Sequence, residues 1–184
     1  PAGWVDHADW RHHMPVTGEG DRDPADILVK LYDLPPLDLS RVDAAGVTVR
    51  RALAPEKHIV TAWIEKHFEP AWVSEAERCF ANRTITCFVA VQGQEMLGFA
   101  CWDAPALGIW GPTGVAEAAR GKGVGAALLL ATLHAMREQG YAYAIIGAAG
   151  PIEFYQRFIG GIVIPGSGPG LYAGMLGWEA AAEE

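Results

Sequence analysis

The chain has 184 residues, of which 51% are hydrophobic, and this length and composition suit one globular domain with a buried core. Its formal net charge of −8 argues against a nucleic-acid-binding protein, because such proteins normally present a basic face. No window reaches the roughly 18 consecutive apolar residues of a membrane-spanning helix, and the N-terminus has no apolar signal segment.

Residues 1–24 are polar and are expected to form an N-terminal arm, before a single domain over 25–178 and a tail over 179–184. The first half of that domain is predicted to contain strands over 26–34 and 46–53, helices over 54–68 and 74–83, a hairpin over 84–102 and a strand over 107–115. Pro70 is expected to end the first helix, since proline disrupts a helix interior. Ser74 and Glu77 have the capping-box spacing that starts the second helix.

The second half begins with the segment RGKGVGA over 120–126, here called the glycine loop. After it the sequence predicts a helix over 124–139, a strand over 141–149, a helix over 151–158 and two short strands within 161–176. Gly111-Pro112 predicts a bulge or bend in the strand before the loop. This order of strands and helices indicates an α+β or mixed α/β domain. The three cysteines form no CxxC pair, so free buried thiols in a reducing, cytoplasmic compartment are expected.

The glycine loop lies where a strand leads into a helix, and it has the properties of an anion site. Gly121, Gly123 and Gly125 have no Cβ atoms to keep a ligand away from the backbone. Amides at a helix N-terminus attract negative charge, and Arg120 and Lys122 add positive charge. A phosphate-bearing ligand is therefore expected here, with an ordinary strand-to-helix loop as the alternative.

Two common phosphate motifs fit the loop poorly. A Walker P-loop needs Ser or Thr after Gly-Lys, whereas Gly121-Lys122 is followed by Gly123. Gly121, Gly123 and Ala126 formally match the dinucleotide fingerprint, but the strand over 141–149 ends without the acid that would hold a ribose. An NAD(P)-dependent oxidoreductase is thus the less favoured alternative.

A third pattern, Arg/Gln-x-x-Gly-x-Gly/Ala, is filled by Arg120, Gly123 and Gly125, and here the chain resembles the GCN5-related N-acetyltransferase (GNAT) family. The segment FYQRFIGG over 154–161 resembles the second motif of that family. The resemblance covers roughly residues 47–164. It implies the GNAT acyl-CoA N-acyltransferase fold: a central, mostly antiparallel sheet, splayed between the strands over 107–115 and 141–149 and flanked by helices.

The resemblance also implies an activity. A GNAT enzyme transfers an acetyl group from acetyl-CoA, its acyl donor substrate, to a primary amine of a small molecule or peptide by direct attack in a ternary complex, without a metal. Tyr155 would be the catalytic residue, protonating the leaving thiolate. The cofactor-binding residues would be Thr113, Gly114, Val115, Arg120, Gly121, Lys122, Gly123, Val124, Gly125 and Ala126.

Some positions depart from the family pattern. The strand over 107–115 has no carboxylate, although many members keep a general base there. Asp103, Glu75 and His67 are the candidate bases, although residues of these types in such positions are more often solvated surface groups. Ala148 stands where many members have an asparagine that touches the cofactor. A catalytically silent module of this fold, binding acyl-CoA as a sensor or partner domain, therefore stays open as an alternative.

The sequence leaves the acceptor site and the oligomeric state open. Trp72, Trp102 and Trp110 would either line an aromatic site for a cationic amine or pack in the core. The segment over 165–172 is either a lip over the acceptor or a turn. The strand over 26–34 would cover a sheet edge or extend it into a homodimer.

Overall fold

The computed structural model describes residues 25–150 and 152–176, so the predicted arm over 1–24 and tail over 179–184 lie outside the described residues. The strands are β1 (Ala25–Lys30), β2 (Val47–Arg51), β3 (Cys87–Gln92), β4 (Glu95–Trp102), β5 (Ile109–Val115), β6 (Tyr143–Ala149) and β7 (Ile162–Val163). The helices are α1 (Ser40–Ala44), α2 (Lys57–His67), α3 (Pro70–Ala81), α4 (Val124–Glu138) and α5 (Ile152–Ile159). The fold is a mixed α+β one, as predicted.

The chain divides into two compact units. The larger unit comprises residues 30–144, and the described part of the smaller unit comprises 25–29, 145–150 and 152–176. The single domain expected over 25–178 and the splay expected between the two strands stay predictions.

Four antiparallel strands form the sheet of the larger unit, in the order β2-β3-β4-β5. β4 is buried along all but its first residue, which explains why its sequence is a nearly continuous apolar run. The register of β4 with β5 shifts between Ala100 and Trp102, opposite Gly111 and Pro112. The irregularity that Gly-Pro predicts in this strand is therefore confirmed.

Helix α4 follows the glycine loop and packs on β4. It is buried from Ala127 to Met136, so its apolar residues fill the core on more than one face. Beyond the C-cap Gln139, Gly140 has a φ of 98°, and its N–H donates to the Arg137 carbonyl oxygen at 3.0 Å. The Tyr141 N–H donates to the Met136 oxygen at 3.2 Å, completing a Schellman motif. The predicted helix end at Gly140 is thus confirmed. None of the helices in the described ranges is long and apolar enough to cross a membrane.

A second part of the core lies under α2 and α3. It contains Val60 and Ile64 of α2 together with Phe99 of β4. The three cysteine thiols are also buried and free: Cys79, Cys87 and Cys101. They act as small apolar side chains, as the sequence predicts.

The smaller unit contains most of β6 and β1 together with β7, in that order, with β1 and β7 antiparallel. Helix α5 ends at Gly160, whose φ is 65°, and the Gly161 N–H donates to the Tyr155 carbonyl oxygen at 3.1 Å. A Cβ at Gly161 would lie 2.6 Å from Ile27 Cγ2, so β1 passes too close for a side chain. This explains both glycines of the FYQRFIGG motif. Within this unit β1 is an inner strand, and the homodimer stays a prediction.

Three details of the predicted elements were wrong. Helix α3 begins at Pro70 rather than at Ser74, because a proline is well suited to the first position of a helix, where no N–H is needed. Helix α1 was not predicted, since five residues are too few to show a helical period. Of the two strands expected within 161–176, only β7 forms, and residues 170–172 form a 3-10 turn instead.

Candidate functional site

The backbone of the glycine loop exposes amides at the N-terminus of α4. Gly121 and Gly123 have φ angles of 72° and 88°, in the left-handed region that favours glycine. Gly123 is the N-cap residue and has no side chain to bond the first amides of the helix. The Ala127 N–H bonds to the Gly123 oxygen at 3.0 Å, so the amides of residues 124–126 precede the first intrahelical bond. This arrangement suits an anion such as a diphosphate.

The side chains of the loop add to this electrostatic field. Gly121, Lys122 and Gly125 are exposed, whereas Arg120 is half-buried. The Arg120 N–H donates to the Glu117 carbonyl oxygen at 3.1 Å, which fixes the turn that enters the loop. Two cationic residues thus precede the helix start in a loop with three exposed positions, and the residues present fit a diphosphate group.

The end of β5 lies beside the start of α4. Val115 Cγ2 is 3.6 Å from the position of a Cβ at Gly125, which is ordinary van der Waals contact. Thr113 Oγ1 donates to the Phe99 carbonyl oxygen at 3.0 Å, so its hydroxyl is tied to β4. The structure thus brings together the predicted strand residues and the predicted loop residues within one unit.

Gly114 of β5 is covered by the ring of Phe68. A Cβ at Gly114 would lie 2.7 and 2.8 Å from Cε2 and Cε1 of that ring, and closer still to Cζ. The φ of Gly114 is not in the left-handed region, so the ring alone requires glycine here. A glycine inside a strand indicates close approach of another group, and that signal was available in the sequence.

Phe68 belongs to an aromatic cluster where α2 ends and α3 begins, formed by Trp63, His67, Phe68 and Trp72. Phe68 stacks on Trp72 with ring centroids 5.1 Å apart, and Trp63 stacks on His67 at 4.4 Å. His67 Nδ1 lies 2.7 Å from the Trp63 carbonyl oxygen, which fixes the imidazole. All four side chains are half-buried, so each retains some solvent-accessible surface.

The other two tryptophans considered for the acceptor are core residues. Trp102 and Trp110 are 0% and 3% exposed. The Trp102 indole N–H donates to Gln139 Oε1 at 3.0 Å, and that of Trp110 donates to Thr132 Oγ1 at 2.7 Å. Of the three tryptophans, Trp72 alone has surface available to a ligand.

Asp103 is buried at the end of β4, in a left-handed conformation with a φ of 54°. Its carboxylate accepts hydrogen bonds from the Gly108 N–H and the Tyr141 hydroxyl, both at 2.7 Å. Burial and the bond to Asp103 raise the pKa of Tyr141 to about 12. These bonds favour a structural role for Asp103. Glu75 is half-buried on α3, and no general base is assigned among the three candidates.

Tyr155 lies on α5 in the smaller unit and is 7% exposed. Its ring contacts that of Phe154 edge-to-face, with centroids 5.3 Å apart. Burial raises the pKa of Tyr155 well above its ordinary value, because the phenolate would lose its hydration. The hydroxyl is therefore protonated at neutral pH. Its catalytic role stays a prediction.

Ala148, one of the positions that depart from the family pattern, has a φ of 45°. Its N–H donates to Asp26 Oδ1 at 3.0 Å. The Asp26 N–H in turn donates to Ser167 Oγ at 2.7 Å, which joins the end of β6 to the loop after β7. The carboxylate of Asp26 thus holds a backbone conformation that alanine adopts rarely.

Within residues 25–150 and 152–176, no group of three or more His, Cys, Asp or Glu side chains is placed to hold a metal ion.

The sequence matches the Acetyltransferase (GNAT) family over residues 53–160, which is more than half of the chain. The chain belongs to this family. The glycine loop, β5 and α5 of this GNAT protein all lie within the matched residues. A search of curated proteins finds no match.

Solved structures share the GNAT fold. A GCN5-related glucosamine N-acetyltransferase region of a fungal multi-domain GH3 beta-N-acetylglucosaminidase matches at a TM-score of 0.66 and 16% identity, over 79% of this chain. GCN5-related N-acetyltransferases from Sphaerobacter thermophilus and Kribbella flavida match at TM-scores of 0.59 and 0.53, each with 21% identity over 78% of this chain. The matches span 20%, 50% and 55% of those three proteins. At these identities the likeness shows the fold.

Proposed function

We propose that this GNAT protein transfers an acetyl group from acetyl-CoA to a primary amine by direct attack in a ternary complex. The observation that carries the proposal is the glycine loop, which joins left-handed Gly121 and Gly123 to the uncapped start of α4. Its amides and the charges of Arg120 and Lys122 suit the diphosphate of a CoA ester.

Strand β5 is proposed to bind the pantetheine arm of acetyl-CoA. The backbone of Thr113 and Val115 would pair with the amides of that arm, as an added strand would. A backbone amide at this end of the strand would donate to the acetyl carbonyl oxygen and stabilise the charge that develops there. The closeness of Val115 to Gly125 supports this arrangement: a Cβ built on Gly125 would lie 3.6 Å from Val115 Cγ2, so the strand end lies next to the loop.

Tyr155 is the proposed general acid. As the amine nitrogen forms its bond to the acetyl carbon, the carbon–sulfur bond breaks and the Tyr155 hydroxyl gives its proton to the departing thiolate. A cationic amine gives one proton to a base or to water before the attack, because only the neutral nitrogen is a nucleophile, and the nitrogen loses a second proton after its bond to the acetyl carbon has formed. Burial raises the pKa of Tyr155, so its hydroxyl carries a proton at neutral pH and that proton is present to be donated.

The proposed acceptor is a small cationic amine. The half-buried faces of the aromatic cluster would attract such a cation, and the chain carries a net charge of −8. Trp72 is the residue of this cluster that the sequence indicates for the acceptor site. Glucosamine is included among the amines to be tested because one structural relative carries a glucosamine N-acetyltransferase region. The buried free thiols support action in a reducing, cytoplasmic compartment.

The test combines binding with turnover. Acetyl-CoA, CoA and NADH are titrated separately into the protein by calorimetry, and free thiol is then measured with acetyl-CoA and a set of amines: glucosamine, short diamines and a lysine-containing peptide. The proposal expects acetyl-CoA to bind, NADH not to bind and at least one amine to release thiol. Tyr155→Phe should lower kcat by about 100-fold and leave the Kd for CoA unchanged.

Other results would select the alternatives. If acetyl-CoA binds but no amine causes the release of free thiol, a catalytically silent acyl-CoA-binding module is favoured. The absence of a carboxylate on β5 is the observation that suggests this alternative. NADH binding without acetyl-CoA binding would contradict the proposal and favour an oxidoreductase.

A further inference from the structure

Helix α1 brings a third cationic side chain to the glycine loop. Arg41 lies on this five-residue helix, in a segment that precedes the match to the GNAT family at residues 53–160. Its Nη2 donates a hydrogen bond to the Gly121 carbonyl oxygen at 2.8 Å, although 80 positions separate the two residues. Helix α1 and the loop belong to the same unit.

The stem of Arg41 also packs on the loop. A Cβ at Gly123 would lie 3.1 Å from Cδ and 3.3 Å from Nε of Arg41. The left-handed φ of Gly123 and the arginine stem therefore both require glycine at this position. The hydrogen bond to Gly121 and the stem beside Gly123 thus place Arg41 against the turn that precedes α4.

The guanidinium retains most of its hydrogen-bonding capacity. Arginine has five N–H donors, and within the described part of the chain the Gly121 oxygen is the acceptor that Arg41 uses. The side chain is exposed, so an anion at the loop can reach the remaining donors. A protein with a net charge of −8 repels a diphosphate at long range, and a local cluster of cations offsets that repulsion.

We propose that Arg41 is a positioning residue of the CoA site: it holds the glycine loop through the Gly121 carbonyl and donates to the diphosphate of CoA. This inference rests on the proposed function. It assigns part of the site to a segment outside the family match. No sequence signal predicts this role, because the five residues of α1 are too few to show a helical period.

The experiment measures the Kd of CoA, dephospho-CoA and pantetheine by calorimetry for the wild type and for Arg41→Met. Methionine retains an unbranched stem over Gly123 but removes the charge and the donors. Arg41→Met should weaken CoA and dephospho-CoA equally, by about tenfold, since a charge-assisted hydrogen bond is lost in each. Pantetheine, which lacks the diphosphate, should bind both proteins alike. Arg41→Lys should recover part of the affinity.

Arg83→Gln is the matched control, because it also removes one exposed positive charge and should leave all three affinities unchanged. Amide hydrogen exchange without ligand gives a second readout. It should be faster at residues 121–124 in Arg41→Met and unchanged in Arg83→Gln.

The outcomes separate this inference from the function on which it rests. If the wild type binds CoA and Arg41→Met binds it equally well, the role of Arg41 is refuted while the CoA site stands. If CoA weakens and dephospho-CoA does not, Arg41 acts on the 3′-phosphate and the diphosphate assignment is wrong. If the wild type binds no CoA, the proposed function itself fails.

Discussion

Replacing Gly114 by alanine tests the closest side-chain approach in the candidate site. The new Cβ would lie 2.7 Å from Cε2 of Phe68, so the ring has to withdraw by about 0.7 Å at that atom to reach ordinary contact. Its neighbours oppose this, because the Trp72, Trp63 and Phe99 centroids are 5.1, 5.7 and 5.9 Å away.

The expected loss of stability follows from two opposing effects. Overpacking in a filled core costs about 1–3 kcal/mol. Alanine at an unstrained backbone position recovers about 0.4–1 kcal/mol by restricting the unfolded chain. Gly114→Ala should therefore lower the free energy of unfolding by about 1–2 kcal/mol, or the Tm by about 3–6 °C for a chain of this size.

Urea denaturation of four proteins tests the cause: the wild type, Gly114→Ala, Phe68→Leu and the double variant. In the Phe68→Leu background Gly114→Ala should cost far less, because the ring has gone. Gly150→Ala is the control, since a Cβ there meets nothing within 4 Å and its φ is not left-handed. Equal costs of Gly114→Ala in both backgrounds would refute the clash with Phe68.

Two further predictions concern buried or half-buried carboxylates. Arg50 donates two hydrogen bonds to Glu56 and, with the Leu53 N–H, lowers the pKa of Glu56 from 4.5 to about 2. Because the pKa of Glu56 is lower in the folded chain than in the unfolded one, its carboxylate stabilises the fold at pH values above the unfolded pKa. The free energy of unfolding of the wild type should therefore exceed that of Glu56→Gln by about 1 kcal/mol above pH 5, after allowing for solvent exposure. This difference should vanish towards pH 2. An advantage that does not change with pH in denaturation curves would contradict this. Asp103→Ala should lower the free energy of unfolding by about 2–3 kcal/mol and bring the alkaline absorbance titration of Tyr141 below pH 12, because the Gly108 N–H and the Tyr141 hydroxyl lose their acceptor. A loss of turnover in a stably folded Asp103→Asn variant would contradict this structural role and support a catalytic base.

The sequence was most informative where a local pattern determines the structure. The glycine loop, the helix end at Gly140 and the irregularity at Gly111-Pro112 were all predicted, because each depends on backbone conformations or hydrogen bonds of adjacent residues. The close approach of Phe68 to Gly114 was predictable only in part, because a glycine within a strand indicates that another group lies close but not which residue it is.

Contacts between distant segments could not be predicted from one sequence. The hydrogen bond from Arg41 to Gly121 joins helix α1 to the glycine loop, and the local sequence pattern of neither segment indicates the other. The same holds for Asp103, whose position before a strand suggested a solvated base. The structure places it in a buried network with Tyr141, which only the packing of β4 against later residues creates.

The position of Asp26 has a consequence for the way this fold is inherited. Asp26 holds Ala148 in its left-handed conformation from 122 positions earlier, and it precedes the residues that match the family. The family match over residues 53–160 therefore omits a residue that shapes the structure inside the match. A transplant of residues 53–160 into another protein would carry the recognisable motifs and leave behind the carboxylate that shapes the end of β6. When segments are exchanged between related proteins, the end of β6 should keep its conformation only if the residues that precede the match, including Asp26, are transferred as well.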